Sequence, residues 1–159
     1  MDVEALYRLH YQALCRYALV LCGNPAEAED AVQNAFVRAM HALPGFRGDS
    51  SVRTWLFSIT RNECLRQIGR RPPGQETQTD VLEGAVYIEE TVCDREAARV
   101  VLRYIAACEE PKKSLLALRL IGEKSFVEIG AVLNKSDTWC RVTFMRAKNE
   151  LLAQLEGYI

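Results

Sequence analysis

Four cations near the carboxyl end, Lys135, Arg141, Arg146 and Lys148, are spaced to meet a nucleic-acid duplex. Arginine can hold guanine through two parallel hydrogen bonds, and lysine makes phosphate contacts that fix register without reading sequence. Such chemistry requires a rigid element that projects these side chains to one side, and the flanking residues supply one. Ser125 with Glu128 three positions later is a capping-box signature, in which each side chain satisfies an amide left without a partner at a helix start. Phe126, Ile129 and Leu133 then recur at helical spacing and give this short helix one buried face. Beyond Asn134 and Lys135, Ser136 can cap a second helix, with Asp137 complementing its positive end. Cys140, Phe144, Ala147 and Leu151 form a narrow core stripe along it, and Arg141, Arg146 and Lys148 lie off that stripe. A capped helix, a tight turn and a basic helix make a helix-turn-helix, whose second helix lies in the major groove. A helix pair with a merely solvated charged face has the same local pattern, so the rest of the chain must decide.

The bounds are those of a small helical protein. A chain of 159 residues is one ordinary domain or two small ones, and 49% hydrophobic residues are enough for packed cores. No apolar run approaches the ~18 residues that span a bilayer. The start Met1-Asp2-Val3-Glu4 lacks the basic stretch of a signal peptide. A cytoplasmic protein without direct membrane insertion is therefore expected. Cys15, Cys22, Cys64, Cys93, Cys108 and Cys140 include no C-x-x-C pair and mostly fall within helical patterns, so they are expected to be small core residues. With His10 and His41 as the only histidines, neither a metal site nor a cofactor is expected. There is no Gly-rich phosphate loop, no paired carboxylates in a plausible cleft and no nucleophile with a base partner, so no small-molecule substrate or enzyme chemistry is expected.

Net charge is −1, low for a free-standing DNA binder, but its distribution is informative. Residues 1–71 hold nine Lys/Arg against seven Asp/Glu, and residues 94–159 hold eleven against nine. Residues 72–93 contain Glu76, Asp80, Glu83, Glu89 and Glu90 and no cation, and they open with Pro72-Pro73-Gly74. That composition reads as a flexible acidic linker between two small helical domains. Its 22 residues could extend ~75 Å at about 3.4 Å each, more than two turns of DNA at ~34–36 Å per turn.

The first block reads as successive helices. Leu6, Leu9, Ala13, Tyr17 and Leu21 mark one face of a helix over 3–21, ended by Gly23. Asn24 caps the next helix, with Pro25 at its first position and Glu27 completing a capping box. Ala28, Val32, Ala35, Phe36, Ala39 and Leu43 form its buried stripe, leaving Asp30, Gln33, Asn34, Arg38 and His41 outward. Residues 44–51 must be a loop, because Pro44, Gly45 and Gly48 interrupt any helix. A third helix spans 52–69 with Trp55, Leu56, Ile59 and Leu65 as core, and Arg53, Arg61, Arg66 and Arg70 on its exposed side. No strand pattern is convincing, so the fold expected is all-α.

Three of these segments resemble bacterial sigma factors. The run 25–39, with Pro25, Glu27, Asp30, Ala31, Val32, Ala35, Phe36 and Arg38, is similar to a helix in sigma domain 2. Phe46-Arg47-Gly48-Asp49-Ser50-Ser51-Val52-Arg53-Thr54-Trp55-Leu56, then Ile59-Thr60-Arg61-Asn62, looks like the following loop and helix. The carboxyl-terminal helix-turn-helix resembles sigma domain 4. The order and the two-domain layout, over 1–71 and 94–159 with a linker over 72–93, resemble the extracytoplasmic-function group of the sigma-70 family.

The resemblance implies partners and sites. Domain 2 would dock on the β′ coiled coil of core RNA polymerase through Asp30, Gln33, Asn34 and Arg38, with further contacts to the β subunit. Asn34 stands where an acidic residue is usual. Phe46, Arg47, Gly48, Asp49, Ser50, Ser51, Arg53, Arg61 and Asn62 would grip the opened −10 element. Unstacking costs a few kcal/mol per base, and stacking on an aromatic such as Phe46 would return roughly 1–3 kcal/mol. Trp55 sits in the apolar stripe and is read as core. Domain 4 would read the −35 element through Ser136, Asp137, Thr138, Trp139, Arg141, Val142, Thr143, Met145 and Arg146, with Lys135 and Lys148 on phosphates. Trp139, Val142 and Thr143 depart from the common pattern, and an indole near the groove suggests an apolar contact with a thymine methyl. Promoter DNA and an anti-sigma factor, often membrane-bound, are the other implied partners. A helix-turn-helix regulator acting without polymerase would explain the last block but would leave the polar face at 30–38 without a purpose.

Overall fold

The computed structural model describes residues 2–48, 50–72 and 95–156, with side chains from 97 onward in the last stretch. Among the described residues there are seven α-helices and one 3-10 turn and no strand, in agreement with the all-α expectation. The linker expected over 72–93, Pro72 apart, lies outside the described residues, as do Asp49 and Cys93.

Helices α1 (Val3–Cys22), α2 (Pro25–Ala42) and α3 (Val52–Gly69) pack against one another as a three-helix bundle. Local chemistry sets their ends. Asp2 accepts from the Glu4 amide to start α1, and Gly23, at φ 66°, closes it in the left-handed conformation that costs glycine least. Asn24 accepts from the Glu27 amide at 3.1 Å with Pro25 at the first helical position. The reciprocal half of the expected capping box does not form. The Glu27 carboxylate instead takes the guanidinium of Arg71, whose Nε lies 2.8 Å from Oε2, and Arg71 also donates to the Cys22 carbonyl. A charged bidentate pair outcompetes one neutral amide bond, and this clamp ties the end of α3 to the α1–α2 turn.

The stripe on α1 runs through Leu6, Leu14, Tyr17, Ala18 and Leu21, whereas Leu9 is 74% exposed. On α2 the expected stripe is buried as far as Ala39, with Ala31 added, and Leu43 is half-buried in the 3-10 turn Leu43–Gly45. Helix α3 departs most from expectation. Leu56, Phe57 and Cys64 are its fully buried side chains, joined by Thr54, Thr60 and Glu63, while Trp55, Ile59 and Leu65 are half-buried. The reason is that α3 is covered on two sides, by α1 and α2 and also by the carboxyl-terminal half, so its burial does not follow one stripe.

That half comprises α4 (Arg95–Ala107), α5 (Lys112–Leu120), α6 (Phe126–Leu133) and α7 (Asp137–Leu155). It is not held apart from the first bundle. Helix α1 packs on α4 and α5, α3 packs on α6, and one apolar core runs from Leu6 and Phe57 through Ile105, Leu115 and Leu118 to Ile129, Cys140 and Ala147. Cys22, Cys64 and Cys140 are buried free thiols in it, as expected of small core residues, and Cys15 and Cys108 are half-buried.

Candidate nucleic-acid and polymerase interfaces

The helix-turn-helix is built by its caps. Ser125 accepts from the Glu128 amide and Glu128 reaches back to the Ser125 amide, the full capping box. Asn134 ends α6 in the left-handed region at φ 58°, ψ 46°, and Ser136 starts α7 by accepting from the Trp139 amide at 3.0 Å. The turn is tight because of Gly130. A Cβ there would sit 2.5 Å from the Lys135 carbonyl oxygen, so only glycine allows the two helices to meet. Cys140, Ala147 and Leu151 of α7 are buried and Phe144 half-buried, as their spacing requires.

The outer face of α7 presents Thr138, Arg141, Val142, Met145, Arg146 and Lys148 to solvent. Arg141 is held by Asp137, 3.1 Å away and one turn back, which fixes the guanidinium near the helix start. The rest of the expected set is oriented differently. Trp139 and Thr143 are half-buried, and the indole packs on the core with the Lys135 ammonium 5.3 Å above its ring. Ser136 uses its hydroxyl oxygen as a cap. The apolar groups that do face outward are Val142, 43% exposed, and Met145, 51% exposed.

On α2 the face formed by Asp30, Gln33, Asn34 and Arg38 is exposed throughout. Gln33 donates to Glu29 at 3.2 Å. Arg38 pairs with the buried carboxylate of Glu63, which Arg66 also approaches at 3.3 Å. Val37 and Met40 share this surface as exposed apolar residues, beside an open groove lined by Tyr7 and Phe36. Both lie off the buried stripe of α2, so their spacing alone marks them as outward.

In the loop before α3, Gly48 adopts φ 79°, where a side chain would be strained. Arg47 is exposed, Ser50 bonds the Ser51 carbonyl at 3.2 Å, and Phe46 is half-buried against Trp55 with ring centroids 4.9 Å apart. Ser51 is the N-cap of α3, accepting from the Thr54 amide at 3.1 Å.

These features agree with what comparison with known proteins finds. Residues 6–72 match the family model for sigma-70 region 2. The RNA polymerase sigma factor YlaC of Bacillus subtilis is 30% identical, the alignment covering 94% of this chain and 90% of that protein. The ECF RNA polymerase sigma-E factor of Escherichia coli K12 is also 30% identical, over 79% of this chain and 72% of its own length. The chain belongs to the extracytoplasmic-function sigma factors. Like them it is an alternative sigma factor that directs transcription initiation. The sigma factor RpoE of Bartonella quintana, solved in complex with the anti-sigma factor NepR, shares the fold at a TM-score of 0.74 and 21% identity, over 98% of this chain and 97% of that one.

The arginines of α3 in this sigma factor are not free. Arg61, only 16% exposed, donates from Nε to Ser114 Oγ at 2.9 Å and lies 3.9 Å from Glu110. Arg53 is half-buried, with its guanidinium 5.7 Å from the Phe57 ring and its Nε without a hydrogen-bond partner. Asn62, Arg66 and Arg70 remain exposed. Thr54 Oγ1 donates to Glu128 at 2.7 Å, the main cause that pulls the Glu128 carboxyl down to about 2, with Ser125 and Lys124 assisting. Lys124 is itself buried, 3.5 Å from Glu128 and 5.7 Å from the Phe57 ring, and burial lowers its ammonium pKa.

Proposed function

We propose that this sigma factor docks on core RNA polymerase through the outward face of α2, grips the opened −10 strand with the 46–53 loop and α3, and reads the −35 element with α7. The observation that carries this reading is one chain presenting two uncovered recognition faces. One is a capped helix-turn-helix with Arg141, Val142, Met145 and Arg146 outward; the other is an α2 face on which Asp30, Gln33, Asn34 and Arg38 are all exposed. The working units are then residues 1–71 and 94–159, with 72–93 as the tether that lets both promoter elements be held on one polymerase. A protein in this role works in the cytoplasm without catalytic chemistry of its own. Solved relatives are held by NepR and by the cytosolic domain of CnrY, so an anti-sigma factor is the regulator to seek.

The test is direct. Core polymerase supplemented with this chain should start transcripts at specific promoters selected from a library, and core polymerase alone should not. Replacing Asp30 and Gln33 by alanine should lower capture of core polymerase at least about 5-fold, the effect of losing roughly 1 kcal/mol at a well-packed contact, with circular dichroism unchanged. Equal capture would place the docking face elsewhere.

Because Trp139 is half-buried while Val142 and Met145 are exposed, the apolar contact expected of Trp139 is proposed for Val142 and Met145 instead. The thymine C5-methyl is the apolar feature that distinguishes bases in the major groove. Deoxyuridine in place of thymidine within the selected −35 element should weaken recognition about 4-fold per contacted methyl, since one buried methyl is worth about 0.8 kcal/mol. The penalty should vanish in Val142→Ala/Met145→Ala. A deoxyuridine effect that persists in that variant would assign the methyl contact to other side chains.

A further inference from the structure

We infer that the polymerase-docking surface continues off α2 into a groove between α2 and α3, where Arg66 and Arg70 receive carboxylates of core polymerase. The inference rests on the docking role proposed above for Asp30, Gln33, Asn34 and Arg38. The groove has a volume of about 290 Å³ and is lined by Asn34, Val37, Arg38, Glu63, Arg66 and Arg70. Asn34 and Arg38 belong to both surfaces, so a partner seated on α2 reaches the groove without a break.

Charge decides what the groove accepts. Its floor is the Glu63 side chain, only 6% exposed, and Arg38 and Arg66 both approach its Oε1. A buried carboxylate requires a cation beside it, and Arg38 alone meets that requirement. The charge of Arg66, 3.3 Å from Glu63 and 47% exposed, is therefore in surplus. Arg70 stands exposed just beyond the end of α3 and has no carboxylate partner among the described residues. Three arginines against one carboxylate leave two positive charges unmatched in one concave site. Guanidinium groups so placed call for anionic oxygens, which carboxylates supply in a matching fork. A phosphate offers similar oxygens, but two observations favour a protein carboxylate. Val37, an aliphatic side chain 51% exposed, lines the groove and suits the methylene stem of a Glu or Asp. Arg66 also lies 13 positions along α3 from Arg53, about 20 Å at 1.5 Å per residue, away from the loop assigned to the strand.

The test measures capture of core polymerase by the full chain, without DNA, for Arg66→Gln/Arg70→Gln and for Arg66→Glu/Arg70→Glu. Both positions are exposed, and circular dichroism checks the fold. Removing the charges should weaken capture about 3-fold at low salt, the scale of partly exposed ion pairs. Reversing them should weaken it about 30-fold, because like charges then face each other. Both losses should shrink between ~0.1 M and ~0.5 M salt, as the screening length falls from ~10 Å toward ~3 Å. If the Glu pair does not fold, the Gln pair and its salt dependence make the comparison. Unchanged capture, an equal loss for the two variants, or a loss that salt does not shrink overturns the inference. Holoenzyme saturated with the wild-type or the Gln-pair chain should bind its selected promoter alike. Weaker promoter binding by the Gln pair would assign the groove to DNA phosphates and would also overturn it. The Asp30→Ala/Gln33→Ala variant separates the two readings. If it leaves capture intact, docking through α2 fails while the groove is still judged by its own variants. If it weakens capture and the arginine variants do not, only the groove fails.

Discussion

Replacing Phe57 by alanine is expected to lower the free energy of unfolding by about 3–5 kcal/mol, out of roughly 5–15 kcal/mol for a domain of ordinary stability. The ring is fully buried and meets Tyr17 edge-on with centroids 5.1 Å apart. Arg53 and Lys124 lie over it from opposite halves of the chain, and Gly122 closes the remaining side. Truncation removes the apolar contact, the aromatic pair and the surface against which two cations are packed. The cavity left behind is walled by α1, α3 and the α5–α6 connection, which limits its collapse. Urea unfolding of the two proteins measures the difference. A loss under about 0.5 kcal/mol, the size of a surface substitution effect, would mean that Phe57 is not enclosed by the carboxyl-terminal half in solution.

Loss of Arg141 should reduce transcription from a promoter with the preferred −35 element by roughly 5- to 150-fold, the equivalent of about 1–3 kcal/mol for one bidentate guanine contact. The side chain is exposed on the reading face, one turn from Asp137 at 3.1 Å, and such an exposed pair is weak enough to yield the guanidinium to a base. With a scrambled −35 element the Arg141→Ala and wild-type proteins should initiate alike. Multi-round transcription with core polymerase on both templates separates the cases. If the variant loses the same factor on both, Arg141 contributes to the fold or to a phosphate and does not read a base.

Much of this was legible in the residues because it is local. The Ser125–Glu128 capping box, the Asn24 and Ser136 caps, the bounds of α3 and the outward face of α2 all follow from spacings of three and four residues. Gly130 carried a readable signal as well: a glycine inside a short apolar helix asks for a close neighbour, and the Lys135 carbonyl supplies it. Leu9, on the apolar stripe by spacing, is 74% exposed, and Trp139 is half-buried. Periodicity assigns a residue to a stripe, but where the edge of that stripe falls depends on what packs beside it.

Sequence alone therefore determined five of the seven described helices, the Asn24, Ser125 and Ser136 caps and the helix-turn-helix, because each is set by neighbours within about one helical turn. The tertiary structure alone decided which arginines are engaged. Arg71 finds Glu27 across 44 positions, Arg61 finds Ser114 across 53, and Thr54 finds Glu128 across 74. No periodicity reports on such pairs. The first closes the amino-terminal bundle; the other two exist because two helical bundles bury a shared core around Phe57, and burial obliges the polar groups at that seam to find partners wherever along the chain they lie.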